Sequence, residues 1–324
     1  MKTRKIRFLK KPRLKSPFLI AAWPGMGNVA IRAVEFLWEC LQPKEFAEIR
    51  PEGLFYPHEA WIVNSQIEFP RLPSGKFFYW PNPHGKHDLI LFLCEAQPAQ
   101  EKGYEYAHYV LDVAQACNVK RIFTFASMPT PIDHTQDSQV WATATDKRLL
   151  KEVSKIAVKH LRVGQISGLN GLLLSVAKER AMDGLCLLGE IPLYAIQIEN
   201  PRASKAVLSV FGKLLNLSFD FVPLDERAKL VEEEIEKLID YFKTGAAAPG
   251  PISEEEIEKI KKNLASVTKI PESVKERIEE MFRTAERDLS KATDLKNELD
   301  RWNIYKEYED RFLDLFRPHR KTDN

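Results

Sequence analysis

The apolar run from Phe18 to Ala22 stops at Trp23-Pro-Gly-Met-Gly27, and from Asn28 onward Val29, Ala33, Phe36, Leu37 and Leu41 recur at helical spacing. This reads as strand, glycine turn, helix, with Asn28 as the N-cap. A strand that passes its chain so directly to a helix points to helices packed on a sheet. Glu45 to Ile49, Ala60 to Ile67 and Lys76 to Trp80 read as further strands. Asp88 to Cys94 is almost continuously apolar, as strands buried on both faces are, and predicts a central strand. Tyr104 to Ala116 is helical and Arg121 to Ala126 is the next strand. A loop from Ser127 to Ser138 carries Pro129 and Pro131, and Asp146 starts a short helix. Gly164 to Leu169 leads into a helix over Leu172 to Ala181, followed by a strand from Leu185 to Leu188. Ser204 to Leu215 is a helix, and Leu224 to Phe242 is a long amphipathic one that closes the domain. The expected fold is three-layer α/β, with a mainly parallel or mixed sheet and helices on both faces.

The chain divides unevenly. Residues 1–15 form a basic arm, because Lys2, Arg4, Lys5, Arg7, Lys10, Lys11, Arg13 and Lys15 stand there without an acid. Residues 16–244 are the α/β domain. Gly245-Ala-Ala-Ala-Pro-Gly-Pro251 has linker chemistry and places a linker over 245–252. Residues 253–324 are expected as a helical extension. Ser253 and the glutamates after it form a capping signature, with Ile257, Ile260 and Leu264 on one face. Pro271 opens another helix with Val274, Ile278, Met281, Ala285 and Leu289 on its apolar side. A last helix carries Leu295, Leu299, Trp302, Tyr305, Tyr308, Phe312 and Leu315. That face must be covered, by the α/β domain or by another subunit.

Composition narrows the class. With 324 residues, 44% of them hydrophobic, the chain can bury a sizeable core. Its longest apolar runs fall well short of the roughly 20 residues that cross a bilayer. No signal-type segment follows the basic N-terminus, so a cytoplasmic protein without membrane contact is expected. Cys40, Cys94, Cys117 and Cys186 are far apart and sit in apolar stretches, and are expected to be reduced and mostly buried. A formal charge of +2 gives no general push toward nucleic acid; the arm reads as a solvated segment, the alternative being a weak contact to RNA or an acidic partner.

In an open parallel sheet, ligands bind beyond the carboxyl ends of the strands. The sequence places Gly25-Met-Gly-Asn28, Glu95-Ala-Gln-Pro98, Ser127-Met-Pro-Thr130 and Gly168-Leu-Asn-Gly171 there. The candidate pocket residues are therefore Gly25, Gly27, Asn28, Glu95, Gln97, Ser127, Thr130 and Asn170. The glycine turn serves either tight strand-to-helix packing or, through amides at the helix start, an anion. No Gly-Lys-Ser/Thr follows it, and Arg32 and Ala33 stand where a third glycine would, so it matches neither a Walker loop nor a full dinucleotide fingerprint. Glu95, at the end of a buried strand, is either an acid or base with a raised pKa or a loop cap. Ser127 lacks the Gly-x-Ser-x-Gly context of a nucleophile elbow. His84-Gly-Lys-His87 has no accompanying thiolate or acidic cluster, and His134 beside Asp133 reads as a loop pair. No catalytic residue, metal ligand or cofactor is assigned.

In order and spacing, Trp23-Pro-Gly-Met-Gly-Asn-Val29, Glu95-Ala-Gln-Pro98, Ser127-Met-Pro-Thr130 and the Gly164–Gly171 segment before a Leu-Leu helix resemble the proteasome assembly chaperone type 2 superfamily, across roughly residues 16 to 243. The resemblance implies a phosphorylase- or hydrolase-like α/β domain, homo-oligomers, and in eukaryotes and archaea a role in assembling proteasome rings. Archaeal chaperones of this type can use a C-terminal hydrophobic, tyrosine, any-residue signal. The last residues here, Lys321-Thr-Asp-Asn324, do not match it, and engagement through that signal is not expected. Two function classes follow. The first is a non-catalytic, homo-oligomeric binding or assembly protein whose partners are itself and another protein complex. The second is an enzyme or sensor for a nucleotide, nucleoside or phosphate, using the strand-end cleft.

Overall fold

The computed structural model describes residues 5–57, 60–83, 85–156, 158–244, 272–301 and 305–316. In chain order the strands are β1 (Ile6–Phe8), β2 (Phe18–Ala22), β3 (Lys44–Ile49), β4 (Trp61–Val63), β5 (Gln66–Glu68), β6 (Gly75–Trp80), β7 (Leu89–Leu93), β8 (Arg121–Thr130), β9 (Val140–Ala144), β10 (Lys159–His160) and β11 (Gly184–Pro192). The domain helices are α1 (Val29–Leu41), α2 (Gly103–Ala116), α3 (Lys147–Val153), α4 (Leu169–Glu179), α5 (Pro201–Leu215) and α6 (Val222–Thr244).

Nine strands form one mixed sheet in the order β1-β3-β6-β7-β2-β8-β11-β9-β10. Its centre, β7-β2-β8-β11, is parallel, and these are the strands whose sequences are apolar on both faces. Antiparallel pairing joins β6 to β7 on one side and β9 to β11 on the other. Along β2 the side chains alternate between two cores. Leu19, Ala21 and the following Trp23 pack with α2 and α4, whereas Phe18, Ile20 and Ala22 pack with α1 and α5. The expected three layers are present.

Local chemistry accounts for several element ends. Asn200 caps α5 by accepting from the Ala203 N–H at 2.8 Å, with Pro201 in the first turn. Asp146 caps α3 through the Arg148 N–H. Asn28, expected to cap α1 in the same way, makes no side-chain cap bond. It sits in the left-handed region at φ 48° and turns the chain by its backbone.

Four other expectations need correction. The basic segment contributes β1, an edge strand antiparallel to β3 in which Arg7 pairs with Glu48 at 3.2 Å. A short, charged edge of this kind discourages pairing with foreign strands. Ala60 to Ile67 is not one strand but the hairpin β4–β5, because Asn64 and Ser65 both adopt positive φ (50° and 63°), as a tight hairpin turn requires. Ser127 to Thr130 belongs to β8 rather than to a loop. Pro129 is tolerated there because β2 stops pairing at Thr124 and leaves β8 with one neighbour strand. Strands β9 and β10 were not anticipated. Of the cysteines, Cys94 and Cys186 are buried, Cys117 is partly so, and Cys40 is exposed near the end of α1.

The expected linker over 245–252 and the helix with Ile257, Ile260 and Leu264 lie outside the described residues. Beyond them are helices Glu272–Arg287, Ala292–Arg301 and Tyr305–Asp314. Ile278, Phe282, Ala285, Leu295, Leu299 and Phe312 close on one another, and Leu193 of the α/β domain packs against this cluster. Leu289, expected on the apolar side, is exposed in a short turn capped by Asp288. Trp302 lies outside the described residues.

Candidate functional site

Trp23 is fully buried against Phe92 and Tyr106, and it fixes where the chain leaves β2. The next turn is tied into the opposite layer. The Gly27 N–H donates to the Ile196 carbonyl at 2.7 Å, the Gly27 carbonyl accepts from Asn200 N–H at 2.8 Å, and the Asn28 N–H donates to Gly25 at 2.9 Å. Gly27 has φ 61°, and a Cβ there would press on Ile191 at 3.3 Å. The turn is thus a packing device joining β2 to the entry of α5. The Gly27 and Asn28 amides are engaged with carbonyls, so they are not available to cradle an anion.

Gln97 and Asn170 hold the other turns. The Gln97 side chain donates to the Pro24 carbonyl at 2.7 Å and accepts from the Leu169 N–H at 3.0 Å, so one amide links the turns after β2 and β7 to the start of α4. Asn170 accepts from the Trp23 N–H and donates to the Trp23 carbonyl, both at 3.0 Å. Gly168, just before α4, has φ 72° and ψ −171°, a region open essentially to glycine, and a Cβ would approach the Gln97 amide nitrogen to 2.9 Å. At Gly171 a Cβ would meet the Ile166 carbonyl at 2.2 Å. Loop 164–168 therefore lies directly on α4.

These turns border a cleft of about 1050 Å³. Of the eight candidate residues, Gly25, Gln97, Ser127 and Asn170 line it. Gly27, Asn28, Glu95 and Thr130 do not. Glu95 is exposed past the end of β7, so the burial on which an acid–base role rested is missing. Thr130 is buried at the end of β8, its hydroxyl without a partner among the described residues. The sequence reading missed Thr143 and Thr145 at the β9 end and Ser175 and Lys178 on α4. The alternation in Val140-Trp-Ala-Thr-Ala144 was the available signal for β9. Lys178 is the one cation among the lining residues, which include no carboxylate and no aromatic ring.

The histidines belong elsewhere. His87 Nδ1 lies 2.8 Å from the Ser16 carbonyl and its ring stacks on Phe18, while His84 is outside the described residues. His134 is nearly buried beside Asp133, and the Tyr194 hydroxyl accepts from its backbone N–H at 2.9 Å and meets Nδ1 at 2.7 Å. Burial raises the Tyr194 phenol above its ordinary range. Burial also pushes the Cys186 thiol up to about 12, away from thiolate chemistry.

A PAC2 family model matches residues 19–239, which span β2 to α6 and every turn just described. The chain belongs to the PAC2 family. This PAC2 chain is 27% identical over 263 residues to an uncharacterized protein of Methanocaldococcus jannaschii, covering 79% of this chain and 95% of that one. Among solved structures it is similar to Pyrococcus furiosus PbaB, an archaeal proteasome activator, at 32% identity and a TM-score of 0.62, over 72% of this chain and 97% of that one. It also shares its fold with P. furiosus PbaA, an archaeal homolog of proteasome-assembly chaperone, at 23% identity and a TM-score of 0.57, over 75% of this chain and 94% of that one. No helix among the described residues is long and apolar enough to cross a membrane.

Proposed function

We propose that this PAC2 protein is a non-catalytic, assembly-chaperone-like factor that acts as a homo-oligomer on another protein complex, the proteasome core particle. The observation that carries this reading is the 32% identity to a proteasome activator over 97% of that chain's length. The cleft supports binding over catalysis. Of its four side-chain amides, Gln97 and Asn170 are engaged with main chain, and Ser127 has no hydrogen bond to a histidine or carboxylate among the described residues. One cation and no aromatic ring suit neither a polyphosphate nor a stacked base, which weighs against the nucleotide reading.

The homo-oligomeric part is supported by the β4–β5 hairpin. Ile62 and Ile67 are cross-strand partners, and Phe69 follows on the same face; they are 77%, 81% and 75% exposed. A two-stranded hairpin is marginal alone and needs its apolar face covered. Phe69 stands near Glu68 and Arg71, both exposed and opposite in charge. A second copy related by a two-fold axis brings the acid of each to the base of the other. That makes a second copy the occupant.

The test is peptide hydrolysis by the 20S core particle of the source organism, with and without the full-length protein, alongside native electrophoresis. A changed hydrolysis rate with co-migration is the expected result. An unchanged rate without co-migration removes the proteasome from the reading.

A further inference from the structure

The basic segment between β1 and β2 reads as solvated in the sequence, and the structure lays it against the sheet. Strand β1 ends at the edge where β2, β7 and β8 begin, and residues 9–17 cross that edge past β3, β6 and β7. Main-chain bonds pin the crossing. The Asp88 N–H donates to the Lys15 carbonyl at 3.1 Å, and the Lys120 N–H donates to the Pro17 carbonyl at 2.8 Å. Burial alternates along it: Pro12, Leu14 and Ser16 turn inward, Leu14 against the core under α2, whereas Lys11, Arg13 and Lys15 are exposed. Residues on one face of an extended chain stand roughly 6.6 Å apart, so these three cations form a row about 13 Å long.

The row is not neutralised from within. Lys11, Arg13 and Lys15, with Lys86 and Lys120 exposed at the same edge, make no ion pair among the described residues. The neighbouring carboxylates are occupied. Asp88 is 8% exposed and accepts from the Lys15 and Asn82 N–H groups at 2.6 and 2.9 Å, and Glu152 holds Arg121 at 2.7 and 3.0 Å. Cations held side by side without counter-charge favour a partner that presents negative charges in a row. At the head of the row, between β1 and α2, is a hollow of about 460 Å³ lined by Ile6, Phe8 and Tyr109 with Lys5 and Asp112. Phe8 rests on Phe46, ring centroids 6.4 Å apart, and is 42% exposed, so an aromatic surface is both held and open. Lys5 bonds the Glu52 carbonyl and Asp112 pairs with Arg180 at 2.7 Å, which leaves the hollow without a free charge. An acidic peptide satisfies the row and has no use for the ring. A single-stranded nucleic acid satisfies both, since its backbone carries a phosphate at every nucleotide and its unpaired bases stack on aromatic side chains.

We propose that this edge binds single-stranded nucleic acid, with one base stacked on Phe8 in the hollow and the phosphates that follow it on Lys11, Arg13 and Lys15. The contact is sequence-tolerant, because it uses ring faces and phosphates rather than base edges. The site lies at the opposite end of the parallel strands from the cleft, goes beyond the proteasome reading and stands without it.

The experiment is fluorescence anisotropy of a labelled uridine oligomer of about ten nucleotides, titrated with the full-length protein at about 50 to 300 mM KCl. Wild type is expected to bind with a Kd of about 1–100 μM at the lowest salt, and log K to fall with log salt at a slope of about −2, as three phosphates at about −0.7 each require. Lys11→Gln, Arg13→Gln and Lys15→Gln together are exposed changes that leave the unliganded melt in place, and they bring the slope close to zero. Phe8→Leu keeps an apolar contact with Phe46 but removes the ring, and weakens binding about tenfold at every salt concentration without changing the slope. Phe8→Trp keeps a ring and keeps the affinity. The proposal is overturned if the oligomer does not bind at about 100 μM protein, if the triple variant retains the wild-type slope, or if Phe8→Leu binds like wild type. It is also overturned if polyglutamate of equal charge competes as well as unlabelled oligomer, which assigns the edge to an acidic protein, or if the oligomer annealed to its adenosine complement is held as tightly as the single strand.

Discussion

Asn170, on the first turn of α4, bonds both main-chain polar groups of Trp23, 147 residues earlier in the chain. The side-chain amide takes the place of a neighbouring strand where β2 ends, and so sets the angle at which the glycine turn begins. Trp23 is fully buried and Asn170 is 4% exposed, so water cannot substitute for either bond.

Asn170→Ala should therefore be costly. It leaves a buried N–H and a buried C=O of Trp23 without partners, at about 1–3 kcal/mol for each group before relaxation. We expect a loss of about 2–4 kcal/mol in urea unfolding, with the same direction in Asn170→Asp, whose carboxylate faces the Trp23 carbonyl. A midpoint within error of wild type would mean that the amide does not hold the turn.

The two glycines at the cleft separate backbone need from ligand approach. Gly168→Ala places a Cβ at φ 72° and 2.9 Å from the Gln97 amide, and is expected to cost about 1–3 kcal/mol. Gly25 is extended at φ −165°, and a Cβ there meets Asn170 at 3.6 Å, an ordinary contact. Gly25→Ala should change stability by less than about 0.5 kcal/mol. Urea melts of both variants check the contrast, and equal losses would contradict it.

Much of the fold was legible because full burial leaves a mark. Strands β2, β7 and the first half of β8 are apolar on both faces, and α1 and α2 repeat at helical spacing. What escaped depended on partners. Val140–Ala144 is a strand of mostly small residues whose place is given by β11, more than 40 residues later. Pro129 argued for a loop, and only the end of β2 pairing shows why it sits in a strand. At the cleft, Gly25, Gln97, Ser127 and Asn170 could be found from turns at strand ends. Gln97 and Asn170 turned out to bind main chain, a role visible only across 70 to 150 residues of sequence. Ser175 and Lys178 are exposed on α4, and nothing in their local sequence links them to Thr143 and Thr145, with which they line the cleft.

Acid should loosen the helical extension. Glu279 on one helix accepts from Arg311 on another at 2.8 Å, and this hydrogen bond together with the charge of Arg311 holds the Glu279 carboxyl below its ordinary value of 4.5. A carboxyl depressed in the folded state stabilises it above the unfolded pKa, and that stabilisation is lost as pH falls through the folded pKa. The pair is about 40% exposed, so its worth is only about 0.2–1 kcal/mol after solvent screening. Glu279→Gln should lower stability at pH 7 by that amount, with the gap to wild type closing below about pH 4.3. Circular-dichroism melts of both proteins across pH 7 to 3 measure the gap, and a gap that widens on acidification would reverse the assignment.

The hairpin face offers the direct test of self-association. Ile62→Thr, Ile67→Thr and Phe69→Thr together keep β-branched residues in or beside the strands while removing the apolar surface. Because these side chains are at least three-quarters exposed, the folded chain loses little core, and Tm of the dissociated protein should hold. Light scattering is expected to give a multiple of the single-chain mass for wild type at tens of micromolar and the single-chain mass for the triple variant. A wild type that is monomeric at that concentration, or a triple variant that keeps the larger mass, would show that this face does not join two copies.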